Sequence, residues 1–336
     1  MVTNLLFKSK NDDLEKIDEL LDKQSAKFKA TWNEYLKTLK SEDSVKIIAS
    51  FLEINREDLA IQYIEEQTDS FNEILLLLFL AGAAFEIGFL ASSIIRSAKT
   101  ISNKDLTENA LQFNQMLASD KLALEVNRFK SDLNESQRKL IYQVVAQGRV
   151  DGISPRLIAK KLAETLGMTE QQFLAVENYR RLLEGGSSEA LKRELRDKRF
   201  DRTISRAIAD KKPLTQEQID RMVAAYRRRY IRYRAETMTR TVSGQIVEAG
   251  RDAAANQMLE KAGLQPGDMV KEWRSRRDDK VRYTHTHASL DGQKVKQNEY
   301  FISVSGARLL YPRDSSAPLK ETVNCRCRTL RYIYKD

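Results

Sequence analysis

The five prolines of this chain stand at positions 155, 213, 266, 312 and 318, so none interrupts the first 154 residues. Proline lacks a backbone N–H and clashes with the preceding helical turn, so a long proline-free stretch is free to run as long helices. Helix starts are legible further on. Ser154 can cap a helix that Pro155 opens, and Thr215 with Gln218 has the spacing of a capping box. Strand-like alternation gathers only after Met269, in MVKEWRSR, KVRYTHTHASL, KVKQNEYFISV, RLLYP and RTLRYIY. The expected fold class is therefore α+β: a long, mostly α-helical N-terminal region followed by a small β-rich C-terminal module. We expect a helical segment over 1–150 containing an apolar helix at 74–95, and a second helical segment over 151–265 with a basic arginine–tyrosine helix. The module is expected over 266–336, and EGGSSEA (Glu184 to Ala190) reads as a flexible joint.

Composition narrows the class. With 41% hydrophobic and 31% charged residues, the chain is globular rather than disordered. Its only cysteines, Cys325 and Cys327, form no disulfide framework and suit a reducing compartment such as a cytoplasm. A Cys-x-Cys ring would also strain the disulfide geometry. The opening residues carry only the short apolar run VTNLLF and predict no secretory leader. Charge is uneven: residues 1–170 sum to −4 and residues 171–336 to +13, giving the net +9. A polyanion partner is expected on the basic half.

Ile74 to Ile95, ILLLLFLAGAAFEIGFLASSII, holds a single charge, Glu86, and is long enough to span a bilayer. A mid-span carboxylate is costly there, and no strong Lys/Arg cluster flanks the segment. The expectation is a helix buried in a bundle or at a subunit interface, with a membrane-active segment as the alternative.

Ala224 to Arg240 carries Arg227, Arg228, Arg229, Arg232, Arg234 and Arg240 around Tyr226, Tyr230 and Tyr233. Clustered guanidinium groups suit phosphate, so Arg227, Arg228, Arg229, Arg232 and Arg234 are candidate contacts for nucleic acid or an acidic protein surface. Tyrosines spaced by four and three share a helix face and are more often packing residues than base-stacking platforms. No helix-turn-helix or zinc-finger pattern is present, which argues against sequence-specific reading.

All four His and Cys residues lie in two pairs of identical spacing, His285-Thr-His287 and Cys325-Arg-Cys327. On strands, residues two apart share a face, so two such strands side by side would offer two imidazoles and two thiolates to one tetrahedral zinc. Arg326 and Arg328 would favour the thiolates. The bland alternative is that these side chains simply pack. Asp278, Asp279 and Glu272 with the histidines make a metal-dependent nuclease the competing class, although RSRRDDKVR also reads as a charged turn. Asp291-Gly292 is a hairpin signal, and Trp273 is expected on the inner face of the first strand. Neither GxGxxG nor a Walker A loop occurs.

Taken together, EWRSRRDDKVRYTHTHASLDGQKV, YFISVSGARLLYP and ETVNCRC resemble the C-terminal domain of the phage Mu F-like minor head proteins. Trp273, Asp279, Arg282, His287, Leu290, Asp291, Gly292, Phe301, Pro312, Asn324, Cys325 and Cys327 match its pattern in order. The likeness covers about 65 residues and extends loosely upstream to GRVDGISPRLIAKKL and RAETMTRTVSGQIVEAGR. Two residues are inserted between Arg282 and His287, and Val242 stands where the family has an acidic residue. The family pattern supplies one histidine rather than two. The resemblance implies a non-catalytic minor capsid protein of a tailed phage virion, made in the bacterial host. It implies portal, major capsid or scaffold proteins as partners, and non-specific double-stranded DNA during head assembly, packaging or delivery.

Overall fold

The structure, a computed structural model, describes residues 2–97, 118–277 and 287–333. Its fold is the α+β arrangement expected. Helix α1 spans Val2–Leu39, α2 Glu42–Glu53, α3 Glu57–Glu66, α4 Phe71–Ser97, α5 Ala118–Val150, α6 Pro155–Thr165, α7 Glu170–Glu184, α8 Asp201–Ala209 and α9 Gln216–Lys261. The capping box at α9 is reciprocal: Gln218 N donates to Thr215 Oγ1 at 3.3 Å, and Thr215 N donates to Gln218 Oε1 at 2.9 Å. Ser154 is the N-cap of α6 with Pro155 in its first turn, but its side chain makes no capping bond. EGGSSEA is a turn with defined ends. Gly185 closes α7, Gly186 takes φ +60°, and Ser187 caps a 3-10 turn over Ser188–Lys192.

The C-terminal module holds two small antiparallel sheets. Strand β1 (Met269–Arg274) lies between β2 (Lys294–Lys296) and β5 (Arg328–Ile333), with Lys271 opposite both Val295 and Arg331. Strands β3 (Phe301–Ile302) and β4 (Arg308–Leu309) pair separately. Two helical turns, α10 (His287–Leu290) and α11 (Leu319–Thr322), complete the module. The expected strand through KVRYTHTHASL is corrected at its end: HASL forms α10, and residues 278–286 lie outside the described residues. The reason is local pairing. Trp273 N donates to Gln293 O and Gly292 N donates to Trp273 O, so pairing with β1 begins only after the Asp291-Gly292 turn, where Gly292 takes φ +83°. That turn joins a helical turn to a strand instead of two strands.

The chain forms two compact units, each discontinuous in sequence, which cut across the segments 1–150, 151–265 and 266–336. Unit 2 comprises residues 32–69 and 130–236. It buries Trp32, Ile48, Leu52, Ile64, Leu140, Val144, Leu162, Phe173, Tyr179 and Met222. Unit 1 comprises residues 1–31, 70–129 and 237–336. Its aromatic centre is Phe28, Phe71 and Phe129, with ring centroids 5.2–5.7 Å apart.

Among the described residues, one helical stretch, Glu57–Ala91, is long and apolar enough to cross a membrane by length and composition. Within unit 1, Glu86, the single charge of residues 74–95, is fully buried. Arg251 Nε donates to Glu86 Oε2 at 2.6 Å, and Arg251 also reaches Glu248 Oε1 at 2.8 Å and the carbonyl of Thr329 at 3.0 Å. Arg331 lies 3.5 Å from Glu86 and 3.4 Å from Asp252, which Lys121 pairs at 2.7 Å. Burial alone would lower the Arg251 pKa, but Glu248 and Glu86 outweigh it and hold the guanidinium above its ordinary value.

Helices α4 and α9 meet backbone to backbone. A Cβ at Gly82 would lie 2.2 Å from the Val247 carbonyl oxygen, and one at Gly250 would lie 2.1 Å from that of Phe79. Gly88, exposed on the same α4, has nothing within 4 Å of such a Cβ. Opposite signs follow. Gly250→Ala should destabilise by about 1–3 kcal/mol through overpacking. Gly88→Ala should be neutral or stabilise by up to about 1 kcal/mol through helix propensity. Urea unfolding of the two variants checks this, and equal effects would refute the close approach.

Candidate metal centre

The site is built from three non-adjacent pieces of the module. Trp273, on the fully buried face of β1, forms its floor. It makes edge-to-face contacts with His287 at 5.4 Å and Phe301 at 5.2 Å between ring centroids. His287 opens α10. Cys325 and Cys327 lie not on a strand but in the irregular stretch just before β5. The expected geometry of two strands presenting one ligand pair each is therefore corrected, and a helical turn and a loop bring the donors together instead.

Asn324 explains how the loop turns. Its backbone sits at φ +58°, a region asparagine tolerates better than most residues. Its N–H donates to Thr241 Oγ1 at 3.0 Å, and its side-chain oxygen accepts from Arg240 Nη1 at 3.0 Å. Arg240 and Thr241 of α9 thus hold the cysteine loop. Arg313, 2% exposed, crosses Gly244 of α9 and donates from Nη1 to the Cys325 carbonyl at 2.8 Å.

His287, Cys325 and Cys327 are all buried, and their ligand atoms lie within 4.8 Å of one another. His287 Nδ1 is 3.4 Å from Cys325 Sγ and 3.7 Å from Cys327 Sγ. A tetrahedral ion with bonds of about 2.3 Å to sulfur and about 2.0 Å to nitrogen would set that edge at roughly 3.6 Å. The donor spacing thus fits a metal centre. The other ring nitrogen, Nε2, lies 3.1 Å from Glu321 Oε2, and Glu321 Oε1 accepts from Ser305 Oγ at 2.6 Å. A carboxylate behind a histidine ligand is the usual device for fixing its tautomer and raising its basicity.

The electrostatics divide the three donors. Cys325 is held well below the ordinary thiol range, chiefly by its hydrogen bond with Cys327, then by His287 and by the charge of Arg313, against the effect of burial. Cys327 is pushed up by Cys325 and by burial. Burial lowers His287, but contacts with Cys325 and Glu321 outweigh it and raise its pKa. The helpful cation is Arg313; Arg328 pairs with Asp18 at 2.5 Å.

His285, the expected fourth ligand, lies outside the described residues, as do Asp278, Asp279 and Arg282. Glu272, the remaining carboxylate of the nuclease reading, is buried and accepts from Arg274 Nη1 at 3.0 Å. Among the described residues, the cavity that reaches Cys325 has a volume of about 40 Å³. Glu321 and Arg313 had no signal in the sequence, because neither has ligand spacing and both act only through tertiary contacts.

The arginine run of α9 does not form one surface. Arg227 pairs with Glu164 at 2.7 Å. Arg229 lies 3.2 Å from Asp197 and donates to the Arg196 carbonyl at 2.5 Å. Arg234 is buried and donates to Ser136 Oγ at 3.0 Å; burial pushes its pKa down to about 10, with Tyr35 opposing. Arg228 and Arg232 are exposed. The expectation that all five are available to a partner is therefore corrected: Arg234 is buried, and the half-buried Arg227 and Arg229 are paired with Glu164 and Asp197 within unit 2. The Tyr226 ring packs 4.3 Å from that of Tyr179, tilted, and 5.0 Å from that of Tyr230, edge to face, as packing residues do.

Comparison with family models, with curated proteins and with solved structures found no match.

The split within the run is measurable. Arg229→Ala should lower stability by about 1 kcal/mol through its lost hydrogen bonds, whereas Arg228→Ala and Arg232→Ala should each stay within about 0.5 kcal/mol of the parent. Thermal unfolding of the three variants discriminates, and an equal loss in all would contradict the division.

Proposed function

We propose that the chain is a minor head protein of a tailed phage or prophage, located in the virion head near the portal. It assists head assembly and DNA packaging or delivery without catalysing a reaction. The observation that carries this reading is convergence. Trp273, Leu290, Phe301, Cys325 and Cys327, on which the resemblance rests, share one buried cluster against which His287 packs. Residues scattered along the chain are explained together if the motif specifies a metal-knotted module. Its partners in this reading are the portal protein, a major capsid or scaffold protein, and the packaged double-stranded DNA.

The ion in this reading is zinc, held by His287 Nδ1, Cys325 and Cys327, with His285 as fourth ligand. Zinc supplies a crosslink that a module with two- to six-residue strands needs. Burial favours this structural role over a metal-dependent nuclease. His287, Cys325 and Cys327 are 2–3% exposed, and a cavity of about 40 Å³ has room for about one water and not for a nucleotide. The buried pairing of Glu86 likewise favours a packed α4 over a membrane-active one.

Protein purified under reducing, chelator-free conditions should carry stoichiometric zinc by elemental analysis, and Cys325→Ser should lose it. Glu321→Gln should retain the ligands but weaken zinc binding about 10- to 100-fold in competition with a chromophoric chelator. Metal-free native protein would end the zinc assignment. The head role has its own test. Phage heads purified on a density gradient from the source strain should contain this chain at low copy relative to the shell protein. Its absence from mature and precursor heads would refute the role.

A further inference from the structure

Residues 198–212 of unit 2 carry six cations and two carboxylates. Their pairing separates structural from available charge. Asp201 is gripped by Arg196, whose Nε and Nη2 each donate at 2.9 Å. Arg199 is committed to Asp197 at 2.7 Å. Lys198, Arg202, Arg206, Lys211 and Lys212 are exposed, and none has an ion-pair partner among the described residues. Asp210, at the C-cap of α8, is the one exposed carboxylate in this stretch.

Helix geometry aligns these cations. Ile204 is buried, and Ala207 and Ile208 are half-buried beside it. Arg202 and Arg206 lie two residues either side of Ile204, so they point away from the core, about 6 Å apart along the axis. Lys198 precedes them by the same step of four, and Lys211 and Lys212 follow the helix end. The exposed residues between the arginines are Thr203 and Ser205, which are also phosphate donors. No large apolar side chain is exposed in residues 198–212. Protein interfaces rely on apolar and aromatic anchors at their centre, which this face lacks.

We propose that the outward face of α8, with Lys198, Lys211 and Lys212, is a contact surface for the phosphate backbone of duplex DNA, held by charge and not by sequence. It takes the place of the α9 run, whose Arg227 and Arg229 are paired with Glu164 and Asp197 and whose Arg234 is buried. The inference rests on the head-protein reading for its setting and names the surface turned to the packaged genome.

The test uses the full-length protein and a short fluorescent duplex of arbitrary sequence, titrated by anisotropy across a sodium chloride series. The parent should bind at low salt, with log K falling linearly in log salt. The triple variant K198Q/R202Q/R206Q should bind at least ~10-fold more weakly, with a slope shallower by about 2–3, since each lost phosphate contact removes about 0.9. Its circular dichroism and unfolding midpoint should match the parent. K211Q/K212Q, outside the helix, should weaken binding with a smaller change of slope, and R228Q/R232Q should keep most of it. Three results overturn the inference: no binding by the parent at low salt, unchanged affinity and slope in both the triple and the lysine variant, or loss confined to R228Q/R232Q. Presence of the chain in purified heads is read separately, so a protein found in heads that fails here leaves the head role standing and removes only this surface.

Discussion

The buried ion cluster of unit 1 is the interaction on which the rest depends. Glu86 enters the core on the most apolar helix of the chain, where an unpaired carboxylate would cost several kcal/mol. It is tolerated because Arg251 of α9 and Arg331 of β5 meet it there, with Glu248, Asp252 and Lys121 balancing the remaining charge. Such a cluster adds little net stability against a well-packed apolar core. What it does is tie α4, α9 and β5 together through Glu86, Arg251 and Arg331. The glycine contacts between α4 and α9 set the distance at which the arrangement works, because any side chain at Gly82 or Gly250 would push the helices apart.

The candidate metal centre is a consequence of that frame. Helix α9 supplies Thr237, Arg240 and Thr241 to Asn324, and Gly244 leaves room for Arg313. These contacts fix the loop before β5, and the loop fixes Cys325 and Cys327 opposite His287. The long helix thus sets the position of the sulfur atoms without contributing a ligand. The carboxylate of Glu321 then selects the ring nitrogen of His287 that faces the thiols. The depressed Cys325 supplies a thiolate, and His287, whose pKa is raised, must give up its proton to ligate a metal.

Charge on unit 2 is likewise sorted by the fold. Arginine density peaks in α9, yet the residues left without partners concentrate around α8. Asp197 and Glu164 pair with Arg229 and Arg227, so acids distant in sequence offset two charges of the densest basic stretch. A count of charge along the sequence measures supply, and only the pairing measures what remains for a partner.

Much of the fold was legible in the sequence, because the signals are local: proline placement, the Thr215–Gln218 cap, the apolar run and the late strand alternation. Trp273 was correctly placed on the inner face of β1 by alternation alone. The His and Cys pairs marked a metal centre through residue type, since two thiols and an imidazole are rare enough here to stand out. The fate of HASL was not legible, because alternation cannot tell a strand from a helical turn when backbone pairing is set by Gly292 and Gln293. Nor were Glu321, Arg313 and the partition of the arginines, since each depends on residues distant in sequence. The sequence by itself determined which elements form and which side chains can bind a metal or phosphate. Tertiary structure alone decided which donors meet and which charges stay free, because both are set by distances between residues that no local spacing encodes.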